Sequence, residues 1–184
     1  SCLVMYYDPI LWQDGQQMLG VEIRSFFNDS TLDSVQVLRQ ALSVEKIDSI
    51  HYNQVAGHEM HFYFRNGEVY LSTTQGNVYF NYYPFNEDSV MVEMNHAETT
   101  LLKLFSESGK IDYVWMPAAT GTMYPVPLIP PDELYLSNFA WFDYIRPVDK
   151  MDVFNWRGKK AGSELKKSVQ RVAPKQKLLD IKQD

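Results

Sequence analysis

Cysteine is nearly absent: Cys2 is the only one in 184 residues. That excludes an intramolecular disulfide framework and a thiolate metal cluster. No run approaches the ~20 consecutive apolar residues that a membrane-crossing helix needs. A Gly-rich phosphate loop between strand and helix is missing, and so is the Gly-x-Ser-x-Gly elbow of a serine hydrolase. Positive charge is also scarce over most of the chain. Residues 1–158 carry 9 Lys and Arg against 20 Asp and Glu, a balance of −11. An acidic body is a poor electrostatic partner for nucleic acid. Residues 159–184 reverse the sign with 8 basic and 3 acidic side chains, or +5, and the two parts sum to the chain's −6.

What the chain does have is aromatic and apolar bulk. It holds 12 Tyr, 10 Phe and 4 Trp, and 45% of its residues are hydrophobic. That is enough to bury a core without a covalent staple, and the aromatic residues favour strands. Ser1-Cys2 has the look of a lipoprotein cleavage site, but no apolar run precedes it. The expectation is that the natural chain continues upstream.

A weak repeat runs through the first 124 residues. Gly20-Val21-Glu22-Ile23 recurs as Gly57-His58-Glu59-Met60 and, more loosely, as His96-Ala97-Glu98-Thr99. The three glutamates are separated by 37 residues (22 to 59) and 39 residues (59 to 98). A period of this size marks stacked or rolled supersecondary units. Within each unit the apolar period is two. Met60, Phe62 and Phe64 alternate with His61, Tyr63 and Arg65; Val78, Phe80 and Tyr82 alternate with Asn77, Tyr79 and Asn81; Val69, Leu71 and Thr73 alternate with Glu68, Tyr70 and Ser72. This pattern predicts strands with one buried face. Asn28-Asp29-Ser30 and Asn66-Gly67 predict tight hairpin turns. Residues 32–47 also fit a helical stripe through Val35, Leu38, Leu42 and Val44, but the repeat favours strands there.

The predicted fold is all-β: roughly ten short antiparallel strands forming a jelly roll or folded sheet over residues 1–124. Residues 125–158 begin with four prolines (125, 127, 130 and 131) and continue into aromatic runs. They predict an irregular cap packed against one end of the sheet. Residues 159–184 predict a basic tail, with a short helix over 162–171 and a frayed end.

Chemistry is not demanded by these residues. His58-Glu59-Met60-His61 superficially resembles a zinc-protease motif, but the spacing is three rather than four and the local period is that of a strand. No metal and no cofactor is expected. The recurrence of Glu22, Glu59 and Glu98 at equivalent positions favours a structural role over a catalytic one. The expected class is non-enzymatic.

The repeat unit resembles that of the OstA-like family of organic-solvent-tolerance and lipopolysaccharide-transport proteins, in its Bacteroidetes-type form. The likeness extends through Ile129-Pro130-Pro131-Asp132, the run Asn138-Phe139-Ala140-Trp141-Phe142-Asp143-Tyr144-Ile145-Arg146-Pro147, and Phe154-Asn155-Trp156-Arg157-Gly158-Lys159-Lys160. The resemblance implies a periplasmic β-jelly roll, with a signal peptide upstream of what would be a C-terminal portion. It also implies lipopolysaccharide (lipid A) as ligand, its acyl chains in an apolar groove. Partners implied are other transport proteins, or copies of the same chain, joined edge to edge. The Pro- and aromatic-rich close and the basic tail depart from the minimal bridge protein of that family. The side chains predicted to line the groove are Ile23, Phe27, Val37, Met60, Phe62, Phe64, Val78, Phe80 and Val92. On sequence alone the same nine fit an ordinary dry core, and the chain then becomes a structural or interaction module of the cell envelope.

Overall fold

The computed structural model describes residues 1–160 apart from residue 14. The helix and frayed end expected within 161–184 lie outside the described residues. Among the described residues, ten strands form one antiparallel sheet that does not close. They are β1 (Cys2–Tyr6), β2 (Ile10–Gln13), β3 (Gln16–Leu19), β4 (Glu22–Asn28), β5 (Thr31–Lys46), β6 (Tyr52–Arg65), β7 (Glu68–Tyr82), β8 (Glu93–Glu107), β9 (Lys110–Trp115) and β10 (Thr120–Pro125). The sheet order is β1-β4-β5-β6-β7-β8-β10; β3 also pairs with β5, β2 with β3, and β9 with β8. The ambiguous stretch 32–47 is strand throughout β5.

The hairpins follow their turn residues. Asp29 and Ser30 have φ of 46° and 70°, Asn66 and Gly67 of 53° and 83°, Ser108 and Gly109 of 51° and 73°. Each pair joins strands through a two-residue loop, the left-handed geometry that matches strand twist.

The central strands are long rather than short, because each passes through a corner. In β5, Arg39 and Gln40 stand between the pairs Leu38↔Glu59 and Ala41↔Gly57, so two residues oppose His58 alone. In β7, Gly76 and Asn77 stand in the same way opposite Thr100. All four bulge residues have positive φ. An extra residue on one strand bends it and raises its twist. On the neighbouring strands a glycine lets the backbones close up. A Cβ on Gly20 would lie 2.6 Å from Val37 Cγ1 and 3.3 Å from the Leu38 oxygen; on Gly57 it would lie 2.5 Å from Thr74 Cγ2 and 3.2 Å from the Gln75 oxygen. The repeated Gly-x-Glu is therefore a corner signal. It recurs on alternate strands because only those run in the same direction.

The row of corners folds the sheet on itself. Below it lie β1, β4, β9 and the halves of β5–β8 nearest those strands; above it lie β2, β3, β10 and the other halves. Side chains from both sides meet in shared clusters. Ile23, Val35, Val37, Met60, Phe62 and Phe64 of the lower half pack with Met18 and Ala41 of the upper half. Val78, Phe80 and Ala97 of the upper half pack with Leu102 of the lower.

The cap packs across a face, not an end. Leu136 and Phe142 join Leu19, Leu42, Val44, Tyr52 and Ala56 in a third cluster on the outer face of the upper half. Buried amides hold it there. Gln17 accepts from the Phe142 N–H (2.7 Å) and donates to the Ala140 carbonyl (2.9 Å). Gln54 accepts from the Leu136 N–H (2.8 Å) and donates to the Leu134 carbonyl (3.0 Å). Asn81 donates through Nδ2 to the Glu133 carbonyl (2.8 Å), and its Oδ1 accepts from His96 Nδ1 (2.7 Å). On the face expected to be polar and wet on β7, Asn81 is thus buried at 1% exposure and Tyr79 half-buried, while Asn77 at the bulge stays exposed.

The start of β7 also departs from simple alternation. The register shifts between Tyr63 and Phe64, so Tyr70 is passed over between the pairs Tyr63↔Leu71 and Phe64↔Val69. Thr74 and Ser72 then face inward opposite Met60 and Phe62. Leu71 and Thr73 lie on the other face, contrary to the simple alternation.

At the C-terminal end of the cap, Asp152 organises a closing loop. Its carboxylate accepts from the Val148 N–H (2.9 Å), Asn155 Nδ2 (3.0 Å), and both Arg157 terminal nitrogens (2.8 and 2.6 Å). The Arg157 guanidinium, then the Asn155 amide and Val148 N–H, hold this carboxyl well below the usual carboxylate range. A depressed folded pKa stabilises above the unfolded value of about 3.9 and fails as pH falls through the folded one. The amide resonance of Val148 is therefore expected to hold its position from pH 7 to pH ~4 and to move only in stronger acid. A shift centred near the ordinary aspartate value would contradict the arrangement.

Candidate functional site

Where the two halves of the folded sheet part, between the upper half and the β8–β9 edge, a cleft of about 90 Å³ opens. Its floor is apolar: Val55 and Phe80 from above, Leu102 and Leu104 of β8 and Ile111 and Val114 of β9 from below. Gln16, Ser43, Glu45 and Asn53 make a polar rim on the upper side. The rim is internally bonded, with Gln16 Nε2 donating to Ser43 Oγ at 2.6 Å and Asn53 Nδ2 donating to Glu45 Oε2 at 3.0 Å. Burial, and then the Glu45 carboxylate, push the Tyr82 phenol at this rim upward in pKa, so it stays protonated. An apolar floor with a hydrogen-bonded anionic lip is an amphipathic site. It can take a hydrocarbon tip while a polar group rests at the mouth.

The strand that closes the cleft is an exposed edge strand. β9 pairs only with β8, and every one of its residues is exposed. Ile111, Tyr113, Val114 and Trp115 are between 38% and 55% exposed. An edge strand with apolar side chains and unpaired backbone groups invites a partner strand or a ligand.

Of the nine side chains predicted to line a groove, Phe80 alone lines this cleft. Ile23, Val37, Met60, Phe62 and Phe64 are packed together in the lower-half cluster at 0–7% exposure. Val78, with no exposure, packs beside Phe80 and Leu102. Phe27 is half-buried near the β4–β5 hairpin, and Val92 is exposed outside the strands, its carbonyl accepting from the Val126 N–H.

The cleft residues that sequence reasoning missed are chiefly Val55, Leu102, Leu104, Ile111 and Val114. The reason is the corner. On β6 the inward positions are Met60, Phe62 and Phe64 below it but Val55 above, so the parity flips within one strand. A single period-two reading carried along the strand therefore loses the second half. The Gly57-His58 break is the signal that could have shown the flip.

Glu22 and Glu59 sit just past their corners, whereas Glu98, paired with Tyr79 and Thr120, lies just before the corner opposite Thr100. Glu22 is 5% exposed and held by Arg24 Nε (2.6 Å) and Arg39 Nη2 (2.9 Å). Glu59 accepts from the Gln75 side-chain amide. Glu22 thus ties β4 to the bulged residue of β5, and Glu59 ties β6 to the residue before the bulge of β7. His58 is exposed, while His61 is half-buried with its ring against Tyr63. No family model matches the chain, and no curated protein matches it.

Proposed function

We propose that the chain is a non-enzymatic lipid-binding module of the lipopolysaccharide-transport type, working in the periplasm and taking acyl chains into the cleft between its two half-sheets. The observation that carries this reading is the apolar floor at Phe80, Leu104 and Val114, which opens beside the exposed β9 edge. About 90 Å³ is small against the roughly 300–1,000 Å³ of sites that enclose a whole ligand. The cleft as it stands takes the end of a chain, and deeper entry needs β9 to swing from the upper half. β9 can do so at low cost, since it breaks only edge contacts. Each methylene kept out of water is worth about 0.8 kcal/mol, so even partial entry favours capture. The exposed edges formed by β9 and β10 on one side and β1 on the other suit edge-to-edge contact with transport partners or copies of the chain.

A sealed structural module is the second reading, and one observation favours it. Ile23, Val37, Met60, Phe62 and Phe64 close on each other as a dry core in the lower half. Photo-crosslinking separates the two. With a photoreactive amino acid at position 114 and labelled lipid A, capture is expected; the same probe at Arg65, on the exposed far hairpin, is expected to give none. Equal capture at both positions, or none at 114, removes the lipid reading.

A further inference from the structure

The closing loop is built inside out. Between Arg146 and Lys160 the carboxylate of Asp152 lies inside, 6% exposed, while Val148, Met151, Val153, Phe154 and Trp156 stand 61–93% exposed. This is not a slack segment. Besides the four bonds to the Asp152 carboxylate, Asp149 Oδ1 accepts from the Met151 and Asp152 N–H groups (2.7 and 2.9 Å), and the Phe154 and Asn155 N–H groups close a 3-10 turn. Polar groups are thus satisfied within the loop, and large apolar side chains are turned to water. Exposed apolar groups gathered so closely mark an interaction site.

The charge beside them names the occupant. This stretch carries Arg146, Lys150, Arg157, Lys159 and Lys160 against two acidic residues, Asp149 and Asp152, and both carboxylates are engaged inside the loop. Residues 159–184 continue the positive balance in sequence, whereas residues 1–158 as a whole are strongly acidic. Lys159 Nζ also donates to the Asp8 carbonyl at 2.9 Å, which brings the turn carrying Tyr7, 95% exposed, to the side of the loop. Trp and Tyr favour the depth of lipid headgroups, and basic side chains add attraction to anionic leaflets.

We propose that residues 146–160, with the Tyr7 turn, form a membrane-interface anchor that inserts Phe154 and Trp156 into an anionic leaflet. The acidic body is repelled by the same surface, so the anchor also orients the molecule, with the loop toward the lipid. The inference does not depend on the cleft carrying lipid.

The test uses the full chain and vesicles of phosphatidylcholine alone or mixed with phosphatidylglycerol. Co-sedimentation is expected with the mixed vesicles and to weaken with added salt, with little on phosphatidylcholine alone. Phe154→Ser combined with Trp156→Ser should lose about tenfold or more of the partitioning. Both side chains are exposed, so the fold should survive, and unchanged denaturant unfolding checks this. Brominated lipid should quench part of the tryptophan emission of the unaltered chain, and the quenching should vanish with Trp156→Phe. Three results would overturn the proposal: no partitioning, partitioning indifferent to the double substitution, or lipid-free self-association abolished by it, which would make the occupant a second copy. Crosslinking at position 114 reads the cleft separately, so either site can fail alone.

Discussion

Replacing Gln54 with leucine is expected to destabilise the protein by about 3 kcal/mol and to loosen the cap from the sheet. The substitution keeps the volume but removes the acceptor of the Leu136 N–H and one donor to the Leu134 carbonyl. Gln54 has no exposure, so water cannot take over without opening the interface. A buried backbone group left unpaired costs about 1–3 kcal/mol, and three lose a Gln54 bond: the Leu136 N–H, the Tyr52 carbonyl (3.2 Å), and the Leu134 carbonyl, which retains a long contact of 3.4 Å from Asn81. Gln17→Leu should act alike at the other end of the segment, on the Phe142 N–H and the Ala140 carbonyl. The double substitution should cost less than the two singles together, because the first already releases part of the shared segment. Urea unfolding measures the loss, and hydrogen exchange at the Leu136 and Phe142 amides locates it. A change below about 1 kcal/mol for Gln54→Leu, with both amides still protected, would show that the aromatic packing alone holds the cap.

Gly76→Val should cost a similar amount, about 3 kcal/mol, for an unrelated reason. Gly76 sits at φ +80°, and a Cβ there would lie 2.7 Å from His58 Cβ. A β-branched residue in the left-handed region loses roughly 1–2 kcal/mol, and the overlap adds about 1–3. Gly67→Ala supplies the control. Gly67 has nearly the same φ, +83°, but nothing stands within 4 Å of its Cβ position, so only the conformational part, about 1 kcal/mol, should be lost. Equal midpoints for the two variants would mean that the corner tolerates separation, and that the fold line is not the rigid element it is taken to be.

These two positions also mark how far the sequence could be followed. The turn pairs Asp29-Ser30 and Asn66-Gly67 were legible because left-handed φ has few suitable residues. Strand identity in β6 was legible from Met60-Phe62-Phe64, since alternation survives wherever no bulge interrupts it. The repeated Gly-x-Glu was visible too, but as a repeat and not as a corner. Its meaning depends on which backbone comes within about 3 Å of the glycine, a fact carried by the neighbouring strand. The bulge at Arg39-Gln40 had no marker at all, because neither residue is a usual left-handed choice.

The candidate site was less legible still. Lining a cleft is a relation between two faces, and period-two patterning gives the faces of a strand without saying which is covered, or by what. Val55 and Leu104 meet across the fold only because the strands bend. Asn81, polar and expected outside, is buried because the cap arrives from 52 residues downstream.

The composition and patterning alone determined that this chain is an antiparallel β protein with an aromatic close, since alternation and turn chemistry are properties of neighbouring residues. Only the tertiary structure decided that the sheet folds at a row of corners, that the cap covers one outer face, and that the opening lies at β9. Those features come from contacts between residues far apart in the chain. Local sequence restricts the strands that meet there, but side-chain volume, backbone approach and hydrogen bonding select the meeting.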